Sequence, residues 1–457
     1  MNMKTIFFAL ITLVSSFFIS STTSNPPLYE RFEKTNPLLW KSAMGSASFR
    51  TNLYADERNL VIGSNGDYFL DYTLMDQGAG LYIINSKTGS IRKSLTNQKW
   101  GDFDVNGVVV LNDRIYFGND NEEFMCVDFN GRTIWKNVAS GDVEGPPVVL
   151  DINNTKVVVY ATELGEVRAV DPQTGRAVWS YFIPGFSGWK EGDNRAIFKV
   201  KAFFTNTQSF FTRPSVTDVN GDGVKDLVYA GYDDIIYCIS GSNGKLLWML
   251  DDKTTDYSIL VDERKVNGET EFWLTSYVYN SEEGKHLLSI TRIDRFGKVI
   301  GKIPLQEENG FTASLNSFTA GPGKYLYATE DSLFQIENNK VVKKLYIGEQ
   351  FQYTSTWDNT TTSMNSNRNS DDQLFGTDVF AFQGDDSCIA LLSQHDMANF
   401  EHAFVTIISL KSWRIVGKYS LPAGSEMPPQ IKDINGDGKK EMLINCYDGN
   451  LYCFQIK

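Results

Sequence analysis

The chain has 457 residues, enough for two or three average domains or for one long repeat architecture. Its formal net charge of −13, with no cluster of Lys or Arg, excludes a nucleic-acid or anionic-membrane partner. Aromatics make up 13% of it, Gly is frequent between short β-branched runs, and no stretch sustains apolar spacing at i, i+3, i+4, i+7, so a helical fold is excluded in favour of an all-β one.

The N-terminus carries Lys4 and an apolar run, Ile6 to Val14, that continues through Phe17-Phe18-Ile19 into small polar residues at 20–24. This is the layout of a secretory signal peptide over residues 1–24. It leaves a mature chain of 25–457, expected to be a single domain and secreted, periplasmic or otherwise extracytoplasmic. An uncleaved anchor is the competing reading, because the run approaches the ~20 residues that span a bilayer. No later apolar stretch is that long, so no membrane insertion is expected after cleavage.

The mature chain repeats a unit of strand, turn and strand. Lys34-Thr35-Asn36-Pro37-Leu38-Leu39-Trp40 supplies a turn and a second strand without a first. A faint copy at 81–95 around Gly89 precedes three full ones: Glu123 to Trp135 around Gly131, Glu166 to Trp179 around Gly175, and Ile235 to Trp248 around Gly244. Each has its tryptophan four residues after the turn glycine. Copies without the tryptophan follow at 287–303 around Gly297, at 333–346 around Asn338-Asn339, and at 404–419. The segment 450–457 is a first strand with no turn after it. The two terminal fragments complete each other, which a linear solenoid does not need. A closed ring of four-stranded blades does need it, because closure removes both exposed sheet edges. The expectation is a β-propeller closed by an N-terminal strand, with eight blades, or seven if the copy near 286 or 332 is an insertion. Two long gaps in the spacing put insertions at about 182–211 and 348–375.

Within this series two loops stand out. Asp218-Val219-Asn220-Gly221-Asp222-Gly223-Val224-Lys225-Asp226 and Asp433-Ile434-Asn435-Gly436-Asp437-Gly438-Lys439-Lys440-Glu441 place acidic or amide oxygens at the first, third and fifth positions, with glycines that permit a tight coil. Such oxygens suit a hard cation, and each loop is followed at once by a strand where an EF-hand would continue to a helix. Two structural calcium sites are expected. Asp151-Ile152-Asn153-Asn154-Thr155 begins the same motif but lacks its second Asp-Gly, so no calcium is expected there.

The insertion after Phe182 combines Phe186, Trp189, Lys190, Arg195, Phe198, Phe203 and Phe204. It reads either as a recognition loop presented by a rigid ring or as an extra hairpin whose aromatics pack on the next blade. Trp100-Gly101-Asp102-Phe103-Asp104 is a weaker aromatic-acidic cluster of the same kind. Of the five cysteines, Cys126, Cys238 and Cys453 share one repeat position, which Ala169 fills in the copy at 166, so they read as small buried packing residues. Cys446 and Cys453 flank the Asp448-Gly449 turn and would bridge only if the register sets them opposite. The histidines, His286, His395 and His402, fall in no zinc spacing.

Gly145-Pro146-Pro147-Val148-Val149-Leu150-Asp151, followed by the strand-turn-strand from Glu166 to Trp179, resembles the pyrroloquinoline-quinone-like (PQQ-like, or quinoprotein-like) propeller repeat. The passages from Pro214 to Ala230 and from Pro429 to Asn445 resemble the FG-GAP repeat of integrin-type propellers. The second resemblance implies calcium ligation by Asp218, Asn220, Asp222, Asp226 and the Val224 carbonyl, and by Asp433, Asn435, Asp437, Glu441 and the Lys439 carbonyl. The quinoprotein resemblance implies the fold without its cofactor: the adjacent cysteine pair of those dehydrogenases is absent, so PQQ is not expected. With no catalytic residue recognisable, the preferred function is an exported, non-catalytic scaffold binding a protein or carbohydrate partner. Two alternatives stay open. One is a propeller enzyme, either a quinone-dependent dehydrogenase or a polysaccharide-cleaving enzyme; the other is an envelope-assembly factor.

Overall fold

The computed structural model describes residues 38–456 except 49, 67–74, 97–102, 187, 190–192, 195–196, 198–209, 253–254, 258–260, 281–284, 309–315, 322–323, 329–331, 347–351, 355–360, 364–372, 377–379, 383–384, 395–402 and 426. The expected signal peptide lies outside them. Among the described residues the 36 ordered elements are strands, and no helix there is long and apolar enough to cross a membrane.

The strands form eight antiparallel sheets of four or five strands, one blade each, and a separate two-stranded ribbon. Blades 1 to 7 span 53–96, 108–138, 148–182, 215–251, 256–308, 316–346 and 373–421; blade 8 joins 430–455 to the strand Leu38–Ala43. The count is eight, and the copies near 286 and 332 are blades in their own right. The ribbon, Gln352–Thr354 with Thr361–Ser363, belongs to the second insertion, whose last residues form the first strand of blade 7.

Chain order within a blade is spatial order, save that blade 8 takes its last strand from the N-terminus and blades 5 and 7 set two short strands on the same partner, and the first strands of neighbouring blades lie against one another around the axis. In one such contact Asn52 donates to the Val108 carbonyl (2.9 Å) and accepts from its amide (2.7 Å). Alternating strand direction then sorts the connections between two faces. Turns joining first to second and third to fourth strands lie on one face, called here the turn face. Connections joining second to third strands, and one blade to the next, lie on the loop face. Both insertions are blade-to-blade connections and therefore sit on the loop face.

The repeated tryptophan joins the blades. Trp135, Trp179, Trp248 and Trp40 stand opposite Cys126, Ala169, Cys238 and Cys453, one register for all four. In blades 2, 3 and 4 a β-bulge at the preceding residue turns the indole toward the next blade. There the ring lies on a turn glycine: Trp135 on Gly175, Trp179 on Gly244, Trp248 on Gly297 and Trp40 on Gly89, where an added Cβ would fall 2.5–2.8 Å from the indole. Each indole nitrogen donates to a carbonyl of that same turn: Pro172 (3.1 Å), Gly241 (3.0 Å), Arg295 (2.8 Å) and Ser86 (3.0 Å). At the joint of blades 1 and 2, where the tryptophan is missing, the aliphatic stem of Lys93 lies on Gly131 instead.

Closure follows the expected route. Leu38–Ala43 pairs with Asn450–Gln455, and Asn445, in the strand beside it, accepts from the Ala47 amide (2.7 Å) and donates to the Gly45 carbonyl (2.8 Å). Trp40 belongs to the N-terminal strand of blade 8 and docks on blade 1, so the closing joint has the same design as the others.

Candidate functional site

The metal-type loops of blades 4 and 8 lie on the turn face, each joining a first strand to a second, at positions four blades apart. They share one coil. The first-position carboxylate accepts two amides, from Gly221 (2.6 Å) and Gly223 (3.0 Å) to Asp218, and from Gly436 (2.7 Å) and Gly438 (2.9 Å) to Asp433. Asn220 and Asn435 accept from the amides of Asp222 and Asp437, and these in turn accept from Val224 and Lys439, all at 2.8 Å. Asp226 and Glu441, fully buried at the head of the next strand, accept from the amides of Val219 (2.9 Å) and Ile434 (3.0 Å). Burial raises both carboxyls, while these amide donors act in the opposite direction.

Both loops thus offer an all-oxygen donor set, the chemistry of a hard cation. In the conformation seen, those oxygens are turned to loop amides. Asp222 also accepts from the Ser242 hydroxyl (3.1 Å), and among the described residues no three His, Cys, Asp or Glu side chains gather closely enough to hold a metal ion. The loops differ at one point. In blade 4 the next turn caps the loop, with the Gly241 amide on Asp226 (3.0 Å). Blade 8 has no such turn, because its third and fourth strands come from opposite ends of the chain, and a cavity of about 400 Å³ lies there between Glu441, Asp437, Gln455, Trp40 and Lys87.

The loop face carries a network that the sequence did not disclose. Ser48 donates to Asn106 (2.6 Å), Asn106 donates to Glu144 (2.7 Å), and Arg50 pairs with Glu144 at 2.7 Å. The Arg50 guanidinium also lies over the Phe211 ring, 5.6 Å from its centroid, and Phe211 packs on Tyr232. These residues come from the connections leading into blades 1, 2, 3 and 4, so the network spans half the ring around the axis. Beside it, burial and the neighbouring Glu144 carboxylate push the Glu163 carboxyl up to about 7, with Asp142 as its hydrogen-bonding partner. Asn65 donates to Asp104 (2.9 Å). The members sit far apart in sequence and follow no common offset. The one available signal was the glycine before a first strand: Gly107 and Gly145 abut Pro146 and the Thr212 backbone so closely that a Cβ would collide.

Of the expected recognition residues, Lys190, Arg195, Phe198, Phe203 and Phe204 lie outside the described residues. Phe186 is half-buried, packing on Phe182 at 4.6 Å and against the core of blades 3 and 4. Trp189, also half-buried, donates its ring N–H to the Asp193 carbonyl (3.3 Å). Phe210 is fully buried between Tyr229 and Tyr237. Both ends of the insertion therefore serve as packing. Asn153 and Asn154 form a two-residue hairpin turn with positive φ, and Asp151 pairs with Lys156 at 2.7 Å. All five cysteines are buried and none is in a disulfide. Cys446 stands opposite Asn450 and Cys453 opposite Leu443, so the bridge considered between them is excluded by register.

A family profile described as outer membrane protein assembly factor BamB matches residues 96–260, which is less than half of the chain. No curated protein sequence matches. Among solved structures the chain is similar to Sqt1 of Saccharomyces cerevisiae (TM-score 0.58, 10% identity, covering 92% of this chain and 99% of that one). It is also similar to the quinohemoprotein alcohol dehydrogenase ADHIIG of Pseudomonas putida HK5 (0.53, 11%, covering 95% and 78%) and to BamB of Moraxella catarrhalis (0.51, 12%, covering 90% and 100%). At these identities the structural likeness establishes the fold. The chain is an eight-bladed β-propeller, and over residues 96–260 its PQQ-like repeats are similar to those of the matched profile.

Proposed function

We propose that the chain is an exported, non-catalytic scaffold that holds a protein partner against the loop face of its ring. The observation that carries this reading is the segregation of the faces. Short turns and the metal-type loops occupy one face, while both insertions and the Arg50–Glu144 network occupy the other. The profile match favours envelope assembly as the setting, since BamB is named an assembly factor. Crosslinking from single cysteines placed on each face in turn, with extracts of the source cell, is expected to yield one defined partner from the loop face. A glycan bound with no protein partner, or reproducible turnover by the pure protein, would overturn it.

An enzyme is the second reading, favoured by the Glu163–Asp142 carboxyl pair, since an acid titrating near 7 suits general acid–base work. Reducing-end assays on polysaccharides address the hydrolase, and an absorption spectrum after adding PQQ and calcium addresses the dehydrogenase. No new reducing ends and no bound chromophore would dispose of both.

Calcium in both turn-face loops completes the proposal. Asp218, Asn220, Asp222 and Asp226 with the Val224 carbonyl, and Asp433, Asn435, Asp437 and Glu441 with the Lys439 carbonyl, would hold it. The ion would supply a fixed positive charge to each coil and tie the first strand of its blade to the second.

A further inference from the structure

At the joint of blades 6 and 7 the tryptophan and the glycine have changed places. Trp413 stands where blade 4 has Gly244: its amide closes the turn on the Ser409 carbonyl at 2.8 Å, as that of Gly244 does on Ser240 at 2.8 Å. Gly417 then stands where blade 4 has Trp248, opposite Ile407 and beside the same bulge. On the blade 6 side Lys343 holds the tryptophan's place, opposite Gln335, and its ammonium lies 5.3 Å from the centroid of the Trp413 ring. This exchange is costly. Trp413 has φ +55°, a left-handed backbone that a bulky side chain rarely adopts. Its ring N–H, which Trp40, Trp135, Trp179 and Trp248 give to a turn carbonyl, is buried with no acceptor. The Thr406 hydroxyl, at the strand position opposite Leu391 of the same joint, is also buried without a partner.

Little at this joint offsets these costs. Among the described residues its buried cluster is small and wholly aliphatic: Leu326, Ala328, Leu333, Ile389, Leu391 and Ile408. Between blades 3 and 4 the cluster has thirteen buried residues, and Trp179, Phe210, Tyr229 and Tyr237 are among them. The other joints that lack the tryptophan are compensated. Between blades 5 and 6, Trp273 packs on Tyr325 at 4.8 Å between centroids, and the Tyr325 hydroxyl donates to the Lys265 carbonyl across the joint at 2.7 Å. Between blades 7 and 8 the cluster has fifteen buried residues. Blades 1 and 2 share the Asn52–Val108 pair and the Lys93 stem on Gly131. Chain continuity also constrains blades 6 and 7 little, since residues 347–372 separate their strands, where residues 252–255 separate those of blades 4 and 5.

We propose that this joint is a seam: the ring opens between blades 6 and 7, and not between blades 8 and 1, where the N-terminal strand closes it. Opening lets the Trp413 backbone relax and its N–H reach water, so the closed ring holds strain here that the open ring releases. It also uncovers two aliphatic strand faces, giving the molecule an apolar surface that it conceals when closed. The seam is a property of the ring and does not rest on the scaffold reading.

Native-state thiol labelling of the full-length chain tests this. Cys126, Cys238 and Cys453 lie buried at the joints of blades 2 and 3, 4 and 5, and 8 and 1, and Ala328→Cys adds a thiol at a fully buried position of the seam. With excess N-ethylmaleimide and peptide mapping by mass spectrometry, the thiol at position 328 is expected to react at least about tenfold faster than Cys453. Adding Lys343→Trp with Trp413→Gly restores the usual order of the joint and should slow position 328 by a similar factor, leaving Cys453 unchanged. Reaction at Cys126, Cys238 or Cys453 as fast as at position 328, or a rate there that the double exchange does not slow, overturns the proposal. Hydroxyl-radical footprinting of the unmutated chain is independent of variant folding. Leu326, Leu333 and Leu391 should oxidise faster than Leu227 of the joint between blades 3 and 4 and Leu443 of the closing joint, although all five are fully buried. Equal oxidation, or faster oxidation at Leu443, overturns the proposal as well.

Discussion

Gly244, like Gly89, Gly175 and Gly297, answers to two constraints at once. Its φ is +72°, and a Cβ there would sit 2.5 Å from the Trp179 ring, whereas Gly268, at φ +87°, has nothing within 4 Å of that position. Gly268→Ala should therefore cost only the backbone strain, about 1 kcal/mol. Gly244→Ala should cost that and the displaced indole, about 3 kcal/mol in all, and urea midpoints of the two variants measure the difference. Similar losses would mean that the indole moves aside without penalty. Glu163 supplies a pH dependence at the same scale. Its folded value of about 7 lies above the ordinary 4.5, so the folded chain holds this proton more tightly than the unfolded one. Stability from this group is therefore present below about 4.5 and falls as pH rises toward 7. Glu163→Gln should flatten that slope, by about 1–3 kcal/mol across the window, while Glu144, Asp142, Arg50 and Glu122 still face the site. A slope unchanged in the variant would assign the effect to another group.

At the scale of elements, the metal-type loops separate local from tertiary information. Their coil was legible because spacing and glycine placement fix it within nine residues, and both copies fold alike. Their surroundings were not legible, since the Ser242 and Gly241 cap of blade 4 and the cavity of blade 8 depend on which strand the chain happens to break at. Excess calcium should raise the melting temperature relative to chelator, each site adding a stability of RT ln(1 + [Ca²⁺]/Kd), about 2.7 kcal/mol at a hundredfold excess over Kd. Asp218→Ala and Asp433→Ala should each remove part of the gain. Identical melting with and without calcium would end the calcium proposal.

For the whole molecule, the ring was legible because its joint is a local pattern, a turn glycine and a tryptophan four residues on, repeated often enough to expose its period. The axial network was hidden for the opposite reason. Ser48, Asn106 and Glu144 are each ordinary in their own stretch and acquire meaning only when three blades converge. Every joint is shared by two blades, so damage at one should spread. Trp40→Ala removes the docking of blade 8 on blade 1 and should cost about 3–5 kcal/mol. Far-ultraviolet dichroism and tryptophan fluorescence should then shift to lower denaturant together. Separate transitions would mean that the blades unfold as independent units.

The closing strand also sets a timetable. Ala47 and Asn445 are 398 positions apart, while the Asn52–Val108 contact between blades 1 and 2 spans 56. Because closure entropy grows only as the logarithm of length, this sevenfold longer loop adds merely about 2 kcal/mol to the closing contact. Equilibrium hardly notices the distance, but assembly does. The strand Leu38–Ala43 waits for Asn450–Gln455 until nearly the whole chain has emerged, its backbone unpaired and blade 1 lacking its neighbour throughout, and that interval is when a chaperone or an identical chain has the most to bind.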